Sequence, residues 1–307
     1  MKWNKKGLIL DPTALDWMGS HAQVPTALIL DDCYRIYYAD RYTSGKSFTT
    51  FVDVSKTDPA KIIYRHKDSV IDEANPGTFD DEGLMPAYVM HEDGKVWMYY
   101  SGWNQRNTIP YHNAMGLAVS EDGGRSFQRM FEGPIMDRTK DEPYLAVTPS
   151  IIKDNDSWRM WYISGLRWKW VESKYEPVYV IKSATSTDGI DWHREKPICI
   201  PQRHEDEAFS HPSVFKRDGR YHMYFCFRDS IDYRGGEGSY RMGYAWSDDA
   251  VNWTREDENA GIDVAEDGWD SEMIAYPYII EDNGAYIMFY NGNGFGQSGF
   301  GYAVLEQ

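Results

Sequence analysis

The chain is poor in cysteine. Among its 307 residues are Cys33, Cys199 and Cys226 alone, and no two form a Cys-x-x-Cys pair. That spacing excludes the common thiolate zinc sites, and so sparse and odd a set suits a reducing compartment. Long apolar runs are missing as well. No stretch approaches the ~18 residues of a membrane-spanning helix. Met1-Lys2-Trp3-Asn4-Lys5-Lys6 has no apolar run behind it that would serve as a signal peptide. The expectation is a cytoplasmic protein. Basic residues are the minority, with 32 Lys and Arg against 48 Asp and Glu and a net charge of −16. Phosphate backbones and anionic bilayers require clustered cations, so neither nucleic acid nor membrane is an expected partner. No Ser nucleophile elbow is present, and the isolated glycines have no phosphate-loop context.

What the chain does have is a repeat. Pro25, Pro86, Pro149, Pro212 and Pro277 each open an apolar run, spaced 61 to 65 residues apart. A polar turn and an aromatic strand follow each: Ile36-Tyr37-Tyr38, Met98-Tyr99-Tyr100, Met160-Trp161-Tyr162, Met223-Tyr224-Phe225 and Met288-Phe289-Tyr290. Third strands are small and apolar, as in Met115-Gly116-Leu117-Ala118. Fourth strands carry an aromatic with polar neighbours, as in Asp191-Trp192-His193-Arg194. A fixed period with four strands per unit predicts an all-β, five-bladed β-propeller with four-stranded antiparallel blades, forming one domain over 1–307. Inner strands are expected near 21–30, 83–91, 146–153, 209–216 and 274–281. The last repeat stops after its third strand, and Trp3-Asn4-Lys5 resembles a fourth. The N-terminal strand is therefore expected to close the last blade and leave no open edge.

A propeller brings equivalent positions of its blades to one mouth. Five positions before the marker prolines stand Ser20, Asp81, Tyr144, Glu207 and Glu272, flanked by Asp80, Glu142 and Asp270. Converging carboxylates raise one another's proton affinity, which suits acid/base work at a glycosidic bond. Asp81 and Glu272 are the expected acid/base pair, with Glu207 and Asp80 modulating them. His21, Gln23, Arg41, His211, Arg228 and Tyr276 lie near the same level, and with Glu142 and Asp270 are candidates to hold substrate. Trp103-Asn104 and Tyr290-Asn291 leave second strands as aromatic–amide pairs suited to sugars. Turn chemistry and structural hydrogen bonding are the competing readings for each of these residues.

The segments His21-Ala22-Gln23-Val24-Pro25, Gly77-Thr78-Phe79-Asp80-Asp81-Glu82-Gly83-Leu84-Met85-Pro86, Gly268-Trp269-Asp270-Ser271-Glu272-Met273 and Tyr290-Asn291-Gly292-Asn293 carry a family resemblance. The chain resembles the five-bladed propeller glycosidases: glycoside hydrolase family 43, the invertases and levansucrases, and the mannoside phosphorylases of family 130. It looks closest to bacterial glycosyl-hydrolase-like proteins associated with surface-polysaccharide genes. The resemblance implies cleavage or transfer at a glycosidic bond of an oligosaccharide or sugar-containing small molecule. It implies no resident cofactor, although a phosphate co-substrate held by His21 and Arg41, or a structural cation at the mouth, fits the group. One departure stands out. Arabinanases and invertases place a catalytic Asp on the first inner strand, where this chain has Ser20-His21-Ala22-Gln23. A non-catalytic carbohydrate-binding propeller and a tailoring transferase acting on amino sugars are the alternatives.

Overall fold

A computed structural model describes residues 1–14 and 18–306. β1 (Trp3–Leu10) precedes a first set of strands, β2 (Gln23–Ile29), β3 (Cys33–Arg41), β4 (Ser47–Ser55) and β5 (Ile62–Arg65). The second set is β6 (Leu84–Glu92), β7 (Lys95–Gln105), β8 (Tyr111–Ser120) and β9 (Gln128–Arg129). The third is β10 (Ala146–Asp154), β11 (Ser157–Val171), β12 (Lys174–Ser186) and β13 (His193–Ile198). The fourth is β14 (Glu207–Arg217), β15 (Arg220–Asp229), β16 (Arg241–Ser247) and β17 (Thr254–Arg255). The last is β18 (Ala275–Asp282), β19 (Ala285–Asn291) and β20 (Phe300–Leu305), to which β1 pairs antiparallel as the outermost strand. Each set is an antiparallel meander. The second and third are joined by one parallel pair, Ala146 with Ala114. The fold is nearly all-β and propeller-like.

Hairpin chemistry is local. Asp93-Gly94, Asp218-Gly219 and Asn283-Gly284 hold φ of 48° and 73°, 52° and 78°, and 52° and 78°. Left-handed pairs of this kind match the twist of a two-residue hairpin, and Asp, Asn and Gly adopt them at least cost. Between the second and third strands of the third set no loop intervenes: β11 and β12 continue through residues 166–176 as a long hairpin ending at Val171 and Lys174.

The core lies between consecutive sheets. Leu28, Tyr37 and Phe51 pack on Val89, Met98 and Tyr100; Trp97 and Tyr99 pack on Trp158 and Met160; Trp161 packs on Phe209 and Met223. Phe215 and Tyr224 meet Met288 and Tyr290, and Tyr278 and Phe289 meet Ile36 and Tyr38 of the first sheet. Aromatic strands pin neighbours by their tips. The Tyr37 hydroxyl donates to Gly124 O (2.6 Å) and the Tyr99 hydroxyl to Gly189 O (2.8 Å), each in the outer turn of the next sheet. Much of the aromatic content is thus inter-sheet packing, where edge-to-face rings add to area burial.

The first strands contact one another in cyclic order: β2 on β6, β6 on β10, β10 on β14, β14 on β18, and β18 on β2. Asn291 fastens the last contact. Its Oδ1 accepts from Val24 N (2.8 Å), and its Nδ2 donates to Ala22 O (2.7 Å) and Gly299 O (2.8 Å). The residue is wholly buried. Asn291→Ala would orphan these backbone groups and is expected to cost roughly 2 kcal/mol in chemical denaturation. An unchanged midpoint would remove the strap from this account.

Candidate functional site

Each marker proline sits in a β-bulge. The ladder slips between Gln23 and Thr26, Pro86 and Tyr88, Val147 and Ser150, Ser210 and Ser213, and Ala275 and Tyr278. Proline has no N–H to give the ladder, so it suits the unpaired positions held by Pro25, Pro149, Pro212 and Pro277, while Pro86 borders its bulge in register with Tyr100. Four residues directly before a proline take left-handed backbone: Val24 (φ 52°), Thr148 (55°), His211 (50°) and Tyr276 (55°). That conformation is strained for β-branched and bulky side chains, and such strain gathers at functional sites. A bulge also re-aims side chains. Here all five pre-proline residues, Val24, Met85, Thr148, His211 and Tyr276, line one cavity of about 700 Å³ where the first strands meet.

Of the residues singled out from sequence, His21, Gln23, Arg41, Trp103, His211 and Tyr276 line this cavity. Arg41 Nη2 donates to Gln23 Oε1 (3.1 Å), while its Nε is buried without a partner among the described residues. Trp103 Nε1 donates to Ser47 Oγ (2.7 Å). Burial, aided by the Arg41 charge, lowers the His21 pKa to about 4. His211 is 1% exposed; Nδ1 lies 3.2 Å from Pro277 O, and Nε2 faces no partner. A carbonyl only accepts, so Nδ1 carries the proton and Nε2 presents a lone pair.

The singled-out carboxylates do not converge there; among the described residues none lines the cavity. The physical reason is a clasp that recurs from sheet to sheet. Asp80 accepts from Arg129 Nε (2.8 Å) and the Tyr100 hydroxyl (3.2 Å). Glu142 accepts from Arg194 Nη1 (3.1 Å), Lys182 Nζ (3.3 Å) and the Tyr162 hydroxyl (3.0 Å). Glu207 takes both Arg255 Nη atoms (2.8 and 2.7 Å) and Arg203 N (2.7 Å). Asp270 accepts from Lys5 Nζ (2.7 Å) and the Tyr290 hydroxyl (2.9 Å). In every case a cation belongs to the outermost strand of the sheet that the acid precedes or, for Glu207, opens, and all four acids are buried. Register with the proline reflects this clasp. Burial alone would raise the Glu207 pKa, but its Arg255 bonds hold it below the usual range.

Asp81 and Glu272 also lie outside the cavity lining. Asp81 Oδ2 accepts from Gly77 N (2.8 Å), and its Oδ1 is buried without a partner in a small crevice that shares Ser47 with the cavity. Glu272 is exposed; Asn293 Oδ1 holds its backbone N–H (2.7 Å) and Arg241 Nη1 its carbonyl (2.8 Å). Three further candidates lie outside the cavity lining. Asn104 donates to Thr78 O (3.3 Å) away from the cavity, and Asn291 is architectural. Arg228 lies beneath the lining rather than in it.

Sequence reasoning missed the tyrosines of one wall, Tyr111, Tyr179, Tyr233 and Tyr240, which stand there with Arg234. Tyr233 and Arg234 lie in the long connection 229–239, and its length was the available signal. Arg234 grips Glu176 through Nε (2.9 Å) and Nη2 (3.1 Å). Burial pushes the Glu176 carboxyl up, but bonds from Arg234 and Tyr233 outweigh it and bring the pKa to about 2. Among the described residues, no group of three or more His, Cys, Asp or Glu side chains is arranged to hold a metal.

Two Mycobacterium tuberculosis proteins, "Uncharacterized protein MT1551" and "Uncharacterized protein Rv1502", are each 34% identical to the chain over 309 residues, covering all of both sequences. The chain belongs to their family. No protein-family model matches it. Solved structures place the family's fold. A glycoside hydrolase structure aligns at TM-score 0.75 and 19% identity over 99% of this chain and 92% of that one. A GH130-family structure, from work on mannoside phosphorylases and hydrolases of β-1,2 mannosidic linkages, aligns at 0.71 and 15% over 99% and 93%. A thermostable family-43 glycoside hydrolase aligns at 0.66 and 15% over 94% and 89%. The fold is that of the propeller glycoside hydrolases of families 43 and 130. No helix is long and apolar enough to cross a membrane among the described residues.

Proposed function

We propose that the chain is a single-domain, five-bladed propeller, closed by its N-terminal strand, that binds and processes a glycan in the central cavity. The observation that carries this is the ring of pre-proline side chains. Five strained or bulged positions all turn toward a cavity large enough for a short oligosaccharide. Aromatic faces of Trp103 and Tyr276 suit the C–H faces of sugar rings. Gln23, Arg41, Ser101 and His211 suit hydroxyls. Solved relatives in fold include hydrolases and phosphorylases, which supports action at a glycosidic bond. Location in the cytoplasm fits the free cysteines.

Proton transfer falls to the acids that no clasp holds. Asp81, with its unpartnered Oδ1 beside the cavity, is the general acid in this reading. Glu272, on the segment leading into β18, is its partner. The test is a turnover screen of oligosaccharides and aryl glycosides, with and without phosphate. Asp81→Asn is expected to lose about 10²-fold or more in turnover and to keep ligand affinity within about twofold. Full turnover in that variant overturns the assignment. That no carboxylate among the described residues lines the cavity favours one second reading, a carbohydrate-binding propeller without catalysis. Tight glycan binding with no turnover across the screen would select it.

A further inference from the structure

Arg228 is a buried cation that no carboxylate among the described residues bonds. It is 1% exposed. Nε reaches the Tyr240 hydroxyl (3.4 Å); Nη1 reaches Asp229 O (3.3 Å) and Ser230 Oγ (3.0 Å); Nη2 reaches Pro177 O (2.8 Å) and the Tyr179 hydroxyl (3.3 Å). Its guanidinium lies 3.8 Å from the centre of the Tyr233 ring. All its bonds go to neutral acceptors, which leaves its charge uncompensated at hydrogen-bond range. Glu176 is already engaged by Arg234 and the Tyr233 hydroxyl.

The two tyrosines pass that charge to the cavity, which both line. Their hydroxyls are 3.0 Å apart, and each accepts from Arg228. Two phenolic protons are present, and the Tyr179–Tyr240 bond uses one. The other has no acceptor among the described residues. A hydroxyl that accepts from a guanidinium is a strengthened donor. Arg234 stands at the same wall with its charge matched by Glu176, and among the described residues no carboxylate lines the cavity to cancel the charge of Arg228.

We propose that this corner receives an anionic group, and that the ligand is an acidic sugar bearing a carboxylate or a phosphate ester. The proposal rests on the central cavity being the glycan site. An anionic oxygen taking the spare phenolic proton lies one hydroxyl away from Arg228 and supplies its missing countercharge. A neutral sugar oxygen takes the proton but leaves the charge unanswered.

Calorimetric titration with glucose, glucuronate, glucose 6-phosphate and inorganic phosphate tests it, on the wild type and on Tyr179→Phe and Tyr240→Phe. These variants each remove one oxygen and leave Arg228 in place. An anionic sugar is expected to bind about tenfold or more tightly than glucose. The phenylalanine variants are expected to lose most of that advantage, so that the ratio of anionic-sugar to glucose affinity falls toward one. Glucuronate and glucose 6-phosphate separate the carboxylate from the phosphate source. Inorganic phosphate binding as tightly as either assigns the anion to free phosphate and overturns the acidic sugar. Equal affinity for neutral and anionic sugars overturns this inference and leaves the glycan reading standing. Loss of neutral and anionic binding together in Tyr179→Phe also overturns it. Binding of no probe, with no turnover or binding in the glycan screen, removes both.

Discussion

Glu207→Gln is expected to lower unfolding stability by about 3–5 kcal/mol, the usual result of breaking one side of a buried pair. Glu207 is 2% exposed and receives two bonds from Arg255 and one from Arg203 N. Arg255 is sandwiched by apolar rings, with Phe209 at 4.9 Å and Phe225 at 5.5 Å from its guanidinium. Removing the carboxylate charge leaves a guanidinium buried among those rings, with Asp257 as its remaining acid. Replacing both partners by Met is expected to recover most of the loss, because neither charge is then stranded. Denaturant midpoints with unchanged slopes would measure both effects. Glycan affinity of the folded single variant should match the wild type. A variant of normal stability that has lost turnover would make Glu207 catalytic and break the clasp account.

His211 is expected to tie stability to pH over a window above the carboxylates. Burial lowers its pKa from 6.5 to about 4. The unfolded state therefore binds a proton before the native state does. Stability from this group is complete above pH 6.5 and falls as pH drops toward 4. The slope is about 1.4 kcal/mol per pH unit and the total about 3 kcal/mol. His21 is also lowered to about 4, but its partial exposure mutes the effect; His66 and His222 shift the same way. Glu176 and Glu207 contribute only below their unfolded value of 4.5, where protonation breaks their bonds. His211→Gln should flatten the stability profile between pH 6.5 and 4.5 by about 1 kcal/mol per unit. A parallel profile would show that His211 is not buried and neutral.

The architecture was legible because its determinants are local and repeated. Prolines, Asp-Gly and Asn-Gly turns and aromatic triplets each recur at one phase, and the strands fall within a few residues of the expected spans. The site was legible in part. Gln23, His211 and Tyr276 adjoin the prolines, and the bulge turns them inward. The acids were misread because periodicity reports equivalence, and equivalent residues serve structure as readily as chemistry. Asp80, Glu142, Glu207 and Asp270 repeat because outer-strand cations Arg129, Arg194, Arg255 and Lys5 repeat with them. In the first sheet the Tyr38 hydroxyl meets Met18 Sδ at 3.9 Å, in the place where the second, third and last sheets have an acid. The absent acid on the first strand thus belongs to the clasp pattern as much as to catalysis. Tyr179 and Tyr240 were hidden because their role depends on Arg228, distant in sequence from Tyr179.

In the proposed function, ligand enters through the bulged ring and not through the ring of acids. A crystal structure with a bound oligosaccharide from the turnover screen decides it. The expected result is a sugar in the cavity, with a hydroxyl donating to His211 Nε2 and a ring against Tyr276 or Trp103. Sugar bound at Asp80, Glu207 or Asp270, with the clasps open and the cavity empty, would contradict it.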